Sequence, residues 1–267
     1  MTGDHGRRAP EERESGAAAR TGSRGAGLVG VLMEAASAVG RAVGALSAAD
    51  RRLAADGHRD QYAVDVLADR AARAVLTAHG LGVFSEESGT DFPERPLKVV
   101  LDPVDGSANC AAGKGPYGPS LCVVDEHGPL AAVVHELRSG AWFSAVRGQG
   151  AVHDGRALSG SASPRIGAVA VGDQGSAPCP GATAVFSGAS AHDLCRVAQG
   201  AVDAYVDEIN TQAVWDYLAA SLIITEAGGV IADRSGAALW SPDDLYARHR
   251  IAAASSPELW ERFAPFI

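Results

Sequence analysis

Paired cysteines, long apolar runs and excess positive charge are all missing from this sequence. Its 4 cysteines form no Cys-x-x-Cys pair and no zinc-type spacing, so we expect reduced, buried thiols rather than disulfides or a zinc site. No uninterrupted apolar stretch approaches the roughly 18 residues that a membrane helix needs, and we therefore expect a cytoplasmic protein with no membrane partner. The formal net charge of −9 has the wrong sign for binding a nucleic-acid polymer.

The composition that is present is typical of a globular protein. Of the 267 residues, 46% are hydrophobic and 21% are charged, which is enough apolar material for one large domain or two small ones. The 32 glycines predict many tight turns.

The first part of the chain predicts an arm followed by an α+β half. Residues 1–26 are small or polar with no apolar period, and we expect a disordered arm there. Apolar residues at three- and four-residue steps predict helices over 28–46 and 64–78. Short apolar runs between turn signals then predict an antiparallel meander, which completes an N-terminal α+β half over 27–160. The expected strands are Gly82–Ser85, Lys98–Leu101, Leu121–Val124, Leu130–His135, Ala141–Val146 and Ala151–His153.

After about residue 160 strands and helices alternate, which predicts an α/β half over 161–267. Together the halves predict a layered αβαβα fold with the site between them. The expected strands are Ile166–Val171, Thr183–Phe186, Val202–Val206, Val230–Ala232 and Arg250–Ala253, and the expected helices are 189–199, 214–227 and one from Pro257.

Two acidic residues follow an apolar predicted strand. The strand Val99–Leu101 ends at Asp102, Pro103 is expected to stop the strand pairing, and Gly106 permits a sharp turn. Asp102 and Asp105 therefore lie a few residues apart at one strand end, where they can converge on a hard cation. The backbone N–H groups that follow are able to hold a phosphate. An ordinary Asp-rich turn is the alternative interpretation.

Further acids stand at two other element boundaries. Glu86 and Glu87 follow the strand that ends at Ser85, and Asp216 begins an apolar helix. Taken alone, Asp216 is typical of an acidic first-turn residue that complements the helix dipole.

Together these segments resemble the inositol monophosphatase family of metal-dependent, lithium-sensitive phosphatases. Its first signature is similar to Asp102-Pro103-Val104-Asp105-Gly106-Ser107-Ala108-Asn109. The second is similar to Trp215-Asp216-Tyr217-Leu218-Ala219-Ala220, running into Thr225-Glu226-Ala227-Gly228-Gly229. The acidic element before them resembles Ser85-Glu86-Glu87-Ser88, and the resemblance covers about 28–255 in the same order.

The resemblance implies a role for each matching residue. Glu86 and Ser107 would position the attacking water, with Asp105 also catalytic, and the N–H groups of Gly106 and Ser107 would hold the phosphate. The substrate-contacting segment would be Gly188-Ala189-Ser190, with Asp207 beside it. Two or three Mg²⁺ ions, or Mn²⁺, would be held by Glu86, Asp102, the Val104 carbonyl, Asp105, Asp216 and Asp65.

This sequence departs from the family pattern at several of these places. Ser107 stands where threonine is usual, and Cys110 where an aromatic is usual, so Cys110 is either an apolar filler or a redox-sensitive thiol. Val185 occupies the place of a frequent arginine, and Glu208–Gln212 is longer than the inositol-type loop. These changes count against inositol phosphate itself as the substrate.

The physics of phosphate ester hydrolysis agrees with a metal-dependent site. A phosphate monoester carries two negative charges, so several carboxylates without cations would repel it. We therefore expect a phosphatase acting on a small inositol-, sugar- or nucleoside-monophosphate, with a specialised nucleoside or amino-sugar phosphatase or a fructose-1,6-bisphosphatase-like enzyme as alternatives. A catalytically silent metal- or phosphate-sensing protein is the alternative from another class. The family resemblance also implies a homodimer.

Overall fold

The computed structural model describes residues 10–55, 58–160, 165–172, 177–207 and 212–267, with side chains from Arg24 onward except 55–61. In its first half two helices precede most of the strands. These elements are α1 (Pro10–Gly44), β1 (Ala54–Ala55), β2 (His58–Tyr62), α2 (Ala63–Ala78), β3 (Gly82–Ser85), β4 (Gly89–Asp91), β5 (Lys98–Asp105), α3 (Ser107–Ala112), β6 (Gly118–Asp125), β7 (Gly128–His135), β8 (Trp142–Val146), β9 (Ala151–His153) and β10 (Arg156–Ala157).

The first helix corrects the prediction of a disordered arm over residues 1–26. α1 begins at Pro10, so residues 10–26 are helical, whereas residues 1–9 lie outside the described part. Alanine, arginine and glutamate are strong helix formers, and proline is well tolerated at the first helical position, so this stretch extends the packed helix that follows it.

The segment Arg24–Gly44 of α1 is long and apolar enough to cross a membrane by length and composition alone. It lies near the N-terminus, and one third of its most apolar window is buried inside the protein. Its buried positions recur with helical spacing, as in a helix that packs against a core along one face. They are Leu28, Leu32, Ala35, Ala36, Val39 and Val43.

An eight-stranded sheet forms the N-terminal half. Its order is β10-β9-β8-β7-β6-β5-β3-β4, and every neighbouring pair is antiparallel except the parallel pair β3 and β5. β5 continues to Asp105, past the predicted end at Leu101. Its pairing with β6 shifts register between Asp102 and Asp105, so Pro103 lies at an irregularity of the pairing. The expectation that Pro103 would stop the pairing is therefore wrong, since a bulge accommodates a residue without an N–H group.

The C-terminal half contains a five-stranded mixed sheet of order β12-β11-β13-β17-β15. β11 pairs with β12 and β13 in parallel, whereas β17 pairs antiparallel with β13 and β15. The elements of the C-terminal half are β11 (Ala168–Val171), β12 (Thr183–Val185), α4 (Ser190–Gln199), β13 (Ala204–Val206), β14 (Gln212–Ala213), α5 (Val214–Glu226), β15 (Val230–Asp233), β16 (Arg248–His249), β17 (Ile251–Ala254) and α6 (Pro257–Phe263).

The elements stack in five layers, which confirms the predicted αβαβα fold. α1 and α2 pack on one face of the eight-stranded sheet, and α4 and α5 lie between its other face and the five-stranded sheet. Phe263 of α6 packs on the outer face of the five-stranded sheet. Because α5 is buried on nearly all sides, its apolar residues do not form a single stripe, as expected for a helix between two sheets.

Candidate active site

The end of β5 presents two buried carboxylates and a turn. Asp102 is 3% exposed and Asp105 is 6% exposed. Asp102 Oδ1 accepts a hydrogen bond from the Val104 N–H at 2.9 Å, and the Ser107 hydroxyl donates to the Val104 carbonyl at 2.9 Å. These contacts hold the strand end, the turn and the start of α3 in one fixed arrangement.

Gly106 brings this turn against the C-terminal half. Its φ of +83° lies in the left-handed region, which favours glycine. A Cβ at this position would lie 2.8 Å from the Pro116 carbonyl oxygen and 3.0 Å from the Ala189 Cβ. The predicted phosphate-binding turn and the predicted substrate segment Gly188–Ser190 are therefore in contact.

Asp105 joins the two halves through hydrogen bonds. Its carboxylate accepts the backbone N–H of Ser190 at 3.0 Å and that of His192 at 3.2 Å, both in the first turn of α4. Free N–H groups at a helix start are usually satisfied by a capping side chain, and here the cap comes from a distant strand. The Ser190 N–H therefore lies at the cluster but is engaged by Asp105.

Asp216 and Asp65 occupy equivalent positions in two different helices. Each stands in the first turn of its helix, where Asp216 accepts the Ala213 N–H at 2.6 Å and Asp65 accepts the Tyr62 N–H at 3.2 Å. The second oxygen of Asp65, Oδ1, is buried and has no hydrogen-bond partner among the described residues. The Ser107 side chain lies next to this carboxylate and lowers its pKa.

Glu86 links the strand end to the second signature. It follows β3 directly, and its carboxyl lies next to the Asp102 carboxyl and the Trp215 side chain, both of which lower its pKa. Glu86 is exposed, whereas Asp102 is buried. Glu86 therefore forms the solvent-facing edge of the cluster.

The acids of this cluster raise one another's pKa. Burial, and then the charges of Asp216 and Asp65, raise the pKa of Glu86 to about 7. Burial, followed by repulsion from Asp65, raises the pKa of Glu87 to about 8. Burial raises the pKa of Asp65 and of Asp216 to about 6, and Arg248 opposes the rise at Asp216.

Burial is also the main cause at the two aspartates of β5. The pKa of Asp102 lies well above its ordinary value because of burial and then the charge of Glu86. The pKa of Asp105 is likewise well above its ordinary value, through burial and then the charge of Asp216. Five carboxyls from four separate stretches of chain therefore interact in one place: Asp65, Glu86, Asp102, Asp105 and Asp216.

The donor chemistry of this cluster fits divalent cations such as Mg²⁺, although the side chains are not arranged around one ion. Within the described ranges, no group of three or more His, Cys, Asp or Glu side chains could hold a metal ion as it stands. Several of their oxygens instead accept hydrogen bonds from backbone N–H groups. All donors are oxygens, as Mg²⁺ prefers, and the unpartnered Asp65 Oδ1 and the crowded negative charge would both be satisfied by cations.

The structure separates the predicted site residues into two groups. Most of them lie at or beside the cluster, and Gly188 adjoins it through Asn109. The residues at or beside the cluster are Glu86, Asp102, Val104, Asp105, Asp216, Asp65, Gly106, Ser107, Ala189 and Ser190. Asp207, the remaining predicted substrate contact, is fully buried after β13, where its N–H donates to the Ile251 carbonyl at 2.8 Å. Most of the predicted loop Glu208–Gln212 lies outside the described residues.

Sequence reasoning missed four residues that border this cluster. His192 is 3% exposed, and its Nε2 lies 4.0 Å from Asp105 Oδ2. Trp215 carries the Arg248 guanidinium 5.9 Å above its ring, and Tyr246 packs against the same indole. The position of Trp215 directly before Asp216 was the available signal, whereas nothing in the local sequence placed Arg248 or Tyr246 here.

The cysteine prediction is confirmed, since all four thiols are free and buried. Burial raises the pKa of Cys110 to about 11, so this thiol is not activated as a thiolate.

Comparison with known proteins decides the family. A profile described as the inositol monophosphatase family matches residues 28–266. The chain belongs to the inositol monophosphatase family. It is 28% identical over 263 residues to a fructose-1,6-bisphosphatase/inositol-1-monophosphatase from Methanothermobacter thermautotrophicus, covering 87% of this chain and 94% of that protein.

Other relatives agree on family and fold. A fructose-1,6-bisphosphatase from Pyrococcus furiosus is 30% identical over 200 residues, covering 73% of this chain and 79% of the relative. A Pyrococcus horikoshii structure described as similar to inositol-1 monophosphatase superposes with a TM-score of 0.75 at 22% identity, over 90% of this chain and 96% of that one. As a member of this family, the protein is a metal-dependent phosphomonoester hydrolase acting on small phosphorylated compounds.

Proposed function

We propose that the chain hydrolyses a small inositol-, sugar- or nucleoside-monophosphate in a Mg²⁺-dependent reaction at the carboxylate cluster. The observation that carries this proposal is the convergence of the buried Asp65, Asp102 and Asp105 with the partly buried Asp216 and the exposed Glu86. Most of these carboxyls raise the pKa of another member. A cluster of like charges that is largely buried is costly unless it holds cations, so a working site is a better explanation than a structural one.

The metal ligands in this proposal are oxygens from four elements. Two or three Mg²⁺ ions would be held by Glu86, Asp102, the Val104 carbonyl, Asp105 and Asp216. Asp65 would help to hold an outer ion. Such ions supply positive charge to the phosphate oxygens and make a water molecule a better nucleophile.

The remaining roles fall to groups at the turn after β5. The Ser107 hydroxyl lies beside the Asp65 carboxyl, and with Glu86 it would orient the attacking water. Backbone N–H groups of Gly106 and Ser107 would hold the phosphate at the start of α3, beside Gly188, Ala189 and Ser190. Attack by water needs no covalent phosphoenzyme, and no side chain is required here as the nucleophile.

Phosphate release from a panel of monoesters tests this function. We expect activity with Mg²⁺, loss of activity with a chelator, recovery on adding Mg²⁺ or Mn²⁺, and inhibition by lithium. Asp216→Asn should lower turnover by roughly two orders of magnitude or more, because it removes a charge that the cations need. A matched control is Asp243→Asn, on an exposed acid outside the cluster. Activity that persists in chelator, or in Asp216→Asn, would contradict the proposal.

A fructose-1,6-bisphosphatase-like activity is the second candidate. The names of the relatives from Methanothermobacter thermautotrophicus and Pyrococcus furiosus favour it. Including fructose 1,6-bisphosphate in the panel separates it from monoester hydrolysis alone. A homodimer and a cytoplasmic location remain proposals, the first from the family resemblance and the second from the sequence.

A further inference from the structure

A buried carboxylate that is not among the proposed metal ligands lies one helical turn beyond Asp65. Asp69 is 4% exposed and stands in α2 on the same face as Asp65, since residues four apart in a helix are neighbours. It has no role in the chemistry proposed above. Burying a carboxylate is costly unless the group is paired and hydrogen-bonded, so its partners show what it holds in place.

Asp69 holds the turn that carries Glu86. Its Oδ1 accepts the Ser85 hydroxyl at 2.6 Å and the Ser88 hydroxyl at 3.1 Å. These two serines enclose Glu86 and Glu87 in the sequence. The Ser85 hydroxyl also accepts the Glu87 N–H at 3.3 Å, which fixes the backbone directly after Glu86. One carboxylate oxygen therefore ties the turn between β3 and β4 to α2.

The other oxygen of Asp69 is paired with an arginine. Asp69 Oδ2 lies 3.2 Å from Arg73 Nη1, and the same guanidinium donates from Nε to Asp91 Oδ2 at 3.0 Å. Asp91 is the last residue of β4. Arg73 balances the charge of Asp69, and its planar guanidinium restricts both carboxylates. The hairpin of β3 and β4 is therefore attached to α2 both at its turn and at its end.

Glu86 needs this support because it is the exposed member of the carboxylate cluster. Its backbone N–H donates to the Leu101 carbonyl at 3.1 Å, which places it beside Asp102. The residue nevertheless stands in a turn, and packing alone does not hold an exposed side chain. Binding sites on turns are less precise than sites on helices and strands unless surrounding hydrogen bonds fix them. Asp69 provides such bonds on the α2 side.

We propose that Asp69 is a positioning residue that fixes the turn of Glu86 relative to Asp65, so that both carboxylates can bind cations together. This rests on the proposed phosphatase function and deepens it. Asp65 belongs to α2 and Glu86 follows β3, and Asp69 joins these two elements by hydrogen bonds. Substitution of residues that orient metal ligands typically weakens metal binding by roughly ten- to a hundredfold.

Calorimetric titration of the chelator-treated full chain with Mg²⁺ tests this assignment without any hydrolysis. The main variant combines Ser85→Ala with Ser88→Ala, because it removes both hydroxyl donors and keeps every charge. We expect its dissociation constant for Mg²⁺ to rise by roughly tenfold or more. Ser88→Ala alone changes an exposed serine, so it provides the test if the double variant does not fold, and we expect a rise of roughly threefold.

A matched control changes an acid in a comparable ion pair elsewhere. Asp125 pairs with Arg147 at 2.9 Å at the end of β6 opposite the cluster. Asp125→Asn should leave the dissociation constant for Mg²⁺ unchanged, even where it lowers the melting temperature.

Kinetics and melting curves separate positioning from a purely structural role. In the serine variants we expect the Mg²⁺ concentration that gives half-maximal activity to rise by the same factor as the dissociation constant, with KM for the ester unchanged at saturating Mg²⁺. A lower melting temperature in chelator with an unchanged dissociation constant for Mg²⁺ would overturn the assignment and leave the phosphatase proposal intact. A wild-type protein that binds no Mg²⁺ would contradict the proposed function and this inference together.

Discussion

The carboxylate of Asp105 accepts the backbone N–H of His192 at 3.2 Å, across 87 residues of sequence. One side chain therefore serves as a helix cap for α4 and as a proposed metal ligand, and substitutions should separate the two roles. Asp105→Asn keeps an oxygen acceptor for the N–H groups and removes the charge, so we expect near-normal folding with turnover lowered by roughly two orders of magnitude or more.

Asp105→Ala is the informative partner of that variant. It leaves the N–H groups of Ser190 and His192 without their acceptor, which costs about 1–3 kcal/mol for a buried donor. We expect the alanine variant to melt below the asparagine variant when both are measured in chelator. Equal melting temperatures would show that the capping contact does not contribute to stability.

The stability of the metal-free protein should depend on pH in a direction set by the cluster. The pKa of Glu86 is about 7 and that of Glu87 about 8, both above the ordinary carboxyl value because of burial and neighbouring charges. The folded state therefore holds protons that the unfolded state has released, and the free energy of unfolding falls as pH rises through these values. Burial lowers the pKa of His135 and His192 to about 4, which acts in the opposite direction up to about pH 6.5.

The effect of the cluster on stability is therefore measured without the opposing effect of the histidines above the ordinary histidine pKa. We expect the melting temperature in chelator to fall between about pH 7 and about pH 8.5, and the fall to shrink when Mg²⁺ is present, because cations stabilise the ionised carboxylates. Thermal melts across this range, with and without Mg²⁺, provide the measurement. A metal-free melting temperature that rises over the same interval would show that the cluster is not crowded as described.

Gly106→Ala should be more destabilising than substitution at a comparable glycine. Gly106 and Gly113 both have φ in the left-handed region, at +83° and +68°, but a Cβ would have close neighbours only at Gly106. We expect Gly113→Ala to cost about 1 kcal/mol through backbone strain alone and Gly106→Ala about 2–4 kcal/mol. Chemical denaturation of the two variants gives the comparison, and an equal cost at both positions would rule out the close approach of Pro116 and Ala189.

Cys110 should be chemically inert despite its position one turn from the proposed phosphate site. Its side chain is fully buried, and burial raises its pKa to about 11, so almost no reactive thiolate is present at neutral pH. We expect hydrogen peroxide to inactivate wild type and Cys110→Ala at the same rate, as judged by residual phosphate release. Protection in the variant would instead favour the redox-sensitive thiol.

Local pattern was enough to predict the layers and most of the strands. Period-two and period-3.6 apolar spacing decides which face of an element is buried, so elements such as Ala63–Ala78 and Gly82–Ser85 were located to within a residue. Pro103 was misjudged because strand pairing depends on a bulge that only the partner strand reveals. The start of α1 was misjudged because small and polar residues fit both an exposed helix and a disordered arm.

The acidic residues of the site were predictable because each follows a recognisable element boundary. Their partners were not, since the contacts from Asp105 to α4 and from Trp215 to Tyr246 join residues that no local pattern relates. Asp207 shows the same difficulty, because its burial after β13 depends on neighbours from other strands.

The cap that Asp105 provides has a consequence for how this enzyme is assembled. β5 belongs to the first half of the chain and α4 to the second, so neither half contains a finished catalytic centre. If the two halves were produced as separate polypeptides, the Asp105 carboxylate of one and the first N–H groups of α4 in the other would lack their partners. Hydrolysis would return only when the two polypeptides reassociate.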